Sequence, residues 1–207
     1  MAFELILFDF DGTLANSFPY FLSAFDEFTA RHGMRHPDPE EIETLRGYES
    51  HQIMRYFGIP AWRAPFYAAD ARARMARDIA QIHLFEGIGR VIRGLAAKGK
   101  TLAVVSSNSL ENVGSVLGLE IASSIRYYEC GVSLFGKAPK IRKLMRKTRM
   151  TAAQTLLIGD EIRDVEAARK AGVACAAVAW GYTRADALRS CQPDLVFERV
   201  EDMLDIP

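Results

Sequence analysis

Leu5-Ile6-Leu7-Phe8-Asp9-Phe10-Asp11-Gly12-Thr13-Leu14 is an apolar run that ends abruptly in two carboxylates and a glycine. The run is short and bounded, which predicts a strand buried on both faces. In extended chain Asp9 and Asp11 project to one side, ~7 Å apart along the strand. Two carboxylates at the mouth of an apolar strand repel each other and resist desolvation, so they call for a cation or a shared proton. Gly12 lets the backbone turn sharply, and the Thr13 hydroxyl can bond a neighbouring carboxylate. Taken alone, the stretch reads equally well as a strand followed by an Asx-type turn. The residues further along the chain decide between the two.

After Leu14 the period becomes helical. Phe18, Phe21, Leu22, Phe25 and Phe28 form an aromatic stripe, with Asn16 or Ser17 as N-cap and Gly33 as a stop. Such a stripe is packing surface. Asp38-Pro39 opens a second helix that ends at Gly47, a third spans Gln52 to Phe57, and a fourth runs from about Phe66 to Ile82. The arginines at positions 72, 74 and 77, offset by Asp70 and Asp78, are expected on a solvated face, and His32, His36 and His83 at the surface. From Glu86 onward strands and helices alternate. Strands are expected at Thr101–Val105, Ile125–Cys130, Thr155–Ile158, Val173–Ala179 and Leu195–Phe197, with helices between most of them.

That alternation predicts an α/β fold: a doubly wound, Rossmann-like parallel sheet with an inserted all-helical cap domain. The expected core is 1–15 plus 86–207, and the cap is 16–85. Ligands of such sheets sit at the carboxyl ends of the strands. Asp9, Asp11, Ser106, Asp160 and Asp164 all fall there, and the helical insertion leaves the same end, placed to cover it.

Composition narrows the partners. Of 207 residues, 49% are hydrophobic, enough for a sizeable core. Lys+Arg and Asp+Glu are both 26, which gives no support for nucleic acid as a main partner. Cys130, Cys175 and Cys191 have no metal-ligand spacing and read as thiols of a reducing compartment. There is no secretory apolar core behind a basic start and no apolar run of membrane-spanning length, so a cytoplasmic protein is expected.

Asp9-Phe10-Asp11-Gly12-Thr13, Ser106 at a strand end, Lys137, and Gly159-Asp160-Glu161-Ile162-Arg163-Asp164 resemble, in order and spacing, the four motifs of the haloacid-dehalogenase-like hydrolase superfamily. The insertion resembles its helical-cap subclass. Arg46-Gly47 and Trp180-Gly181-Tyr182 are most similar to the pattern of phosphoglycolate phosphatases. The resemblance implies a Mg²⁺-dependent phosphatase acting on a small phosphorylated metabolite, with 2-phosphoglycolate as one candidate, through an aspartyl-phosphate. It makes Asp9 the nucleophile and Asp11 the general acid and base. Asp9, Asp160 and the Asp11 backbone carbonyl would hold the ion, with Glu161 ranked below Asp160 as a ligand. Ser106 would bind a transferring phosphate oxygen, helped by backbone N–H groups at Ser107 and Asn108. Lys137 would offset charge on the phosphate and on Asp9, with Lys140 a weaker substitute. Thr13 and Asp164 would orient groups around the site, Asp164 by holding water or Lys137. In the cap, Arg46 could pair with a substrate carboxylate or serve its own helix end, with Tyr48 and His51 near the same mouth. This chain departs from the common Lys-Pro-x-Pro pattern with Lys137-Ala138-Pro139-Lys140. A phosphomutase, a dehalogenase and a non-catalytic metabolite- or phosphoprotein-binding module are the competing readings. Asp11 counts against the dehalogenase, and the filled motif positions count against the binding module.

Overall fold

The computed structural model describes residues 2–131 and 136–207. Among them lies one six-stranded parallel sheet, in the order β3-β2-β1-β4-β5-β6. The strands are β1 (Leu5–Phe8), β2 (Thr101–Val105), β3 (Tyr127–Glu129), β4 (Thr155–Gly159), β5 (Ala174–Val178) and β6 (Leu195–Phe197). β1 is central, flanked in register by β2 (Leu7 opposite Ala103) and β4 (Leu7 opposite Leu157). All four of its side chains are fully buried, which is why the run carries no polar alternation.

Strand periodicity sorts the core into two layers. Ile6, Phe8, Leu102, Val104, Leu156 and Ile158 face one side, where α5 (Ile88–Ala97) and α6 (Leu110–Ala122) cover them. Leu5, Leu7, Ala103, Val105 and Leu157 face the other, beneath α7 (Ala138–Thr148), α8 (Ile162–Ala171) and α9 (Ala185–Ser190). Sequence reasoning missed α9. It also ended α6 too early, because that helix continues to Ala122 across a break at Gly118, which has non-helical torsions.

Between β1 and α5 lie four helices: α1 (Phe18–His32), α2 (Pro39–Leu45), α3 (Ser50–Tyr56) and α4 (Ala64–Arg77). Gly33 ends α1 in the left-handed conformation, and a reciprocal Asp38–Glu41 capping box starts α2. The aromatic stripe is packing surface: Phe25 lies against Phe21, Phe28 and Phe57. α4 ends earlier than its sequence suggests. The chain leaves helical torsions at Asp78, whose carboxylate accepts from the Tyr20 hydroxyl, and a separate 3₁₀ turn, Ile79–Gln81, follows. Two further expectations fail on this face. Arg74 is buried, paired with Asp70 and Glu27, and His32 is half-buried between Tyr67 and Asp70. Charge on α4 is thus spent on holding α1, not on solvation.

The helical insertion is joined to the sheet through two short segments that pair with each other. Asn16 N–H donates to His83, Phe85 N–H donates to Leu14, and Ala15 bridges Leu84. Among the described residues no helix is long and apolar enough to cross a membrane, and all three cysteines are free thiols.

Candidate active site

The polar ends of β1, β2 and β4 converge. Oxygens of Asp9, Asp160 and Asp164 lie within 4.8 Å of one another, and all three residues are buried. Local chain chemistry explains how they can be so close. Gly12 has φ +74°, and a Cβ built on it would stand 2.1 Å from Asp160 Oδ2. A Cβ on Gly181 would stand 2.1 Å from the Asp160 Cβ, and one on Gly159 would stand 2.4 Å from Asp164 Oδ2. Three glycines therefore make the space that the carboxylates fill.

Each acid has its own partners. Lys137 Nζ sits 2.5 Å from both Asp9 Oδ2 and Asp164 Oδ1. Lys137 precedes α7, at a helix N-terminus where the macrodipole disfavours a cation; the two carboxylates more than offset that. Burial alone would lower the Lys137 ammonium, but the charges of Asp164 and Asp9 hold it above the usual lysine range. Asp9 is pushed up to about 7 by burial, against the pull of Lys137. Asp160 has no cation beside it among the described residues. Its oxygens accept from the Thr13 hydroxyl and the Tyr182 backbone N–H, 2.8 Å each. Burial, with Glu161, Asp9 and Asp164 adding negative charge, raises it well above the ordinary carboxylate range. Asp164 also accepts from the Glu161 N–H at 3.2 Å, so both its oxygens are engaged. Glu161 itself pairs with Arg163.

Asp11 stands apart from this cluster and lines an open cleft beneath α4, together with Ser107, Asn108 and Arg163. Ser17 donates to its Oδ1 at 3.0 Å and the Asn108 side-chain amide to its Oδ2 at 2.9 Å. Burial raises the Asp11 carboxyl, and these two donors partly lower it again. Sequence reasoning missed both donors as side-chain partners. Ser17 has the position of a helix N-cap, but its hydroxyl makes no cap bond and lies between Asp11 and the Tyr182 hydroxyl, 2.9 Å from the latter. The sequence points only to the backbone N–H of Asn108, and that group donates to Ser106 Oγ at 3.0 Å. Neither side-chain contact is signalled by periodicity: Asn108 comes from a distant segment, and Ser17, though near Asp11 in the chain, has the pattern of a helix N-cap.

Lys140 is no substitute for Lys137. It donates to the backbone carbonyls of Ser106, Glu129 and Gly131, and so braces the loop after β2. Arg46 is the C-cap residue of α2, the helix end expected of it, and its side chain reaches across to the loop after β5. It donates to the Tyr182 and Gly181 carbonyls at 2.9 and 3.1 Å, pairs with Glu43 and lies over the Phe18 ring. Tyr48 lines an adjoining, mostly apolar cavity with Phe18, Phe25 and Phe57, and His51 is exposed beside Glu49.

Known proteins share both sequence and fold with this chain. The family model described as haloacid dehalogenase-like hydrolase matches residues 6–178. A phosphoglycolate phosphatase from Synechococcus elongatus is 28% identical over 202 residues, covering 97% of this chain and 95% of its own. The pyrophosphatase PpaX of Anoxybacillus flavithermus is 25% identical and spans 100% of this chain and 97% of its own. A haloacid dehalogenase-like family hydrolase from Streptococcus pneumoniae shares the fold, with a TM-score of 0.80 at 23% identity, covering 98% of this chain and 97% of its own. With the motif residues gathered at one sheet end and the family pattern running from β1 to β5, the chain belongs to the haloacid dehalogenase-like hydrolases.

Proposed function

We propose that the protein hydrolyses small phosphate monoesters through an aspartyl-phosphate on Asp9, with Mg²⁺ bound beside it. The observation that carries this is the division of labour between two neighbouring aspartates. Asp9 is enclosed with Lys137, whereas Asp11 faces the cleft between two hydrogen-bond donors. Two carboxylates in contrasting environments are suited to different tasks.

A divalent ion fits the residues present. Asp9, Asp160 and Asp164 bring three carboxylates together, and Lys137 compensates only Asp9 and Asp164. An oxygen-only donor set of this kind suits Mg²⁺. Asp9 and Asp160 would hold it with the Asp11 carbonyl, and when bound it neutralises charge on the phosphate and on Asp9. Lys137 fixes the Asp9 carboxylate for in-line attack on phosphorus. Ser106, at the end of β2, offers its hydroxyl to a phosphate oxygen. Asp11 then protonates the departing alkoxide and, as its conjugate base, takes a proton from the water that opens the acyl phosphate. Ser17 and Asn108 keep its carboxyl oriented through both steps.

In this reading 16–85 is the cap and 1–15 with 86–207 the catalytic core. The paired segments around Ala15 and Leu84 are the natural hinge, and the protein works in the cytoplasm. 2-Phosphoglycolate is the first substrate to assay, given the names of relatives. The test is phosphate release from a panel of phosphorylated metabolites with and without Mg²⁺. Metal-dependent release with no isomerised phosphosugar supports a phosphatase; an isomerised product in its place identifies a mutase.

A further inference from the structure

The cleft over Asp11 has a roof as well as a floor. α4 supplies Ala68, Ala71, Arg72 and Met75 to it, positions that recur at helical spacing and so share one face. The roof is fastened to the catalytic loops at two points. The Asn108 amide that bonds Asp11 also lies 2.9 Å from Met75 Sδ. The Asn112 amide donates to the Arg72 carbonyl at 3.3 Å. Arg72 is therefore placed through Asn112, whose amide also donates to the Asn108 side chain that bonds Asp11.

Its guanidinium differs from those of its neighbours. Arg74 is committed to Asp70 and Glu27. Arg163, the other cation lining the cleft, is paired with Glu161. Among the described residues the Arg72 side chain has no carboxylate partner, although it is half-buried. The two carboxylates that share the cleft, Asp11 and Glu161, are held by Ser17, Asn108 and Arg163. The cleft has a volume of about 190 Å³, room for the few atoms of a small leaving group.

Resting on the phosphatase reading above, we propose that Arg72 is a specificity-determining residue that binds a second anionic group, a carboxylate or a phosphate, on the leaving-group side of the substrate. Phosphorus must sit at Asp9, and Asp11 must reach the bridging oxygen. The remainder of the substrate then extends past Asp11 into the space under α4, where the unpaired cation waits. A neutral leaving group gains nothing from it, and a cationic one is repelled.

The test is a matched series assayed with Mg²⁺: 2-phosphoglycolate, 2-hydroxyethyl phosphate and phosphoethanolamine, which differ only in the terminal group, with pyrophosphate as the phosphate-bearing arm. The wild-type protein should rank them by kcat/KM with the carboxylate first and the amine last. Arg72→Gln should shrink the ratio of phosphoglycolate to hydroxyethyl phosphate by roughly ten- to a hundredfold, the worth of one charge-assisted contact. Arg72→Lys should keep most of that ratio, and Arg72→Glu should invert the ranking. A fall in pyrophosphate turnover alone on Arg72→Gln assigns the second anion as phosphate. No charge preference in the wild type, or an equal fall for all substrates in Arg72→Gln, overturns the assignment. If the wild type releases phosphate from none of these, nor from p-nitrophenyl phosphate, the phosphatase reading itself fails and this one with it. Turnover with an unchanged ratio and no selective loss of pyrophosphate hydrolysis sinks only the role of Arg72.

Discussion

Asp9 and Asp11 are two residues apart, yet the fold gives them opposite surroundings. Asp9 is 2% exposed and locked to Lys137, while Asp11 lines the cleft. Their substitutions should separate accordingly. Asp9→Asn removes the attacking oxygen and should lower phosphate release by about a thousandfold or more. Asp11→Asn removes proton transfer and should cost about a hundred- to ten-thousandfold. Steady-state assays with single-turnover phosphate release check both; full turnover by Asp9→Asn would show that another group attacks. Gly181 tests the packing around the acids. Its added methyl would meet the Asp160 Cβ, an atom fixed to the backbone. Gly181→Ala should therefore destabilise the protein by about 1–3 kcal/mol and weaken Mg²⁺ binding by displacing Asp160. Urea unfolding and a Mg²⁺ titration read the two effects, and an unchanged urea midpoint would mean that the loop yields freely.

At the scale of elements, α2 and the loop after β5 are laced together. Arg46 donates to two carbonyls of that loop, the Arg184 N–H donates back to the Arg46 carbonyl at 3.0 Å, and Arg184 also reaches the Glu43 carbonyl. The same loop carries the Tyr182 N–H that bonds Asp160. Arg46→Ala should therefore loosen the loop from the helical insertion. Amide exchange at 181–184 should accelerate about tenfold, for roughly 1–2 kcal/mol of lost hydrogen bonding, and kcat/KM should fall several-fold in parallel. Unchanged exchange at these amides would assign Arg46 no tethering role. These lacings mark the limit of what sequence alone discloses. β1, β2 and β4, with the residues at their ends, were legible because an apolar run followed by a polar stop is a local pattern. Strand order and the long-range partners of Ser17 (Tyr182), Arg46 (Gly181, Tyr182) and Arg74 (Glu27) depend on which distant segments meet. Arg74 has Asp70 one turn before it, where Arg72 has Ala68, but its second partner, Glu27, comes from α1 and is set by how the two helices pack.

For the whole molecule, the cost of the site should be measurable as stability. Asp9 rises from an ordinary 3.8 to about 7 on burial, and Asp160 is raised as well. An acid raised in the folded state binds its proton more tightly there than in the unfolded chain. Between about pH 4 and pH 7 the folded protein therefore holds more protons, and stability falls as pH rises through that window. Mg²⁺ requires the ionised acids, so its stabilising effect should grow as theirs declines. Thermal unfolding from about pH 5 to about pH 8, in EDTA and in saturating Mg²⁺, should show curves that diverge with pH. A Mg²⁺ increment independent of pH would separate ion binding from these carboxylates. Asp160→Asn isolates the charge. An amide can still accept from the Tyr182 N–H and, by turning its NH₂ toward Thr13, keep the second contact that the hydroxyl now donates. Shape and hydrogen bonds persist while an uncompensated buried charge disappears. That variant should melt higher than the wild type in EDTA at neutral pH, by the equivalent of about 1–4 kcal/mol, and lose its response to Mg²⁺. If it melts lower in EDTA, the carboxylate at position 160 contributes to the metal-free fold and the acids are not held there at the expense of stability.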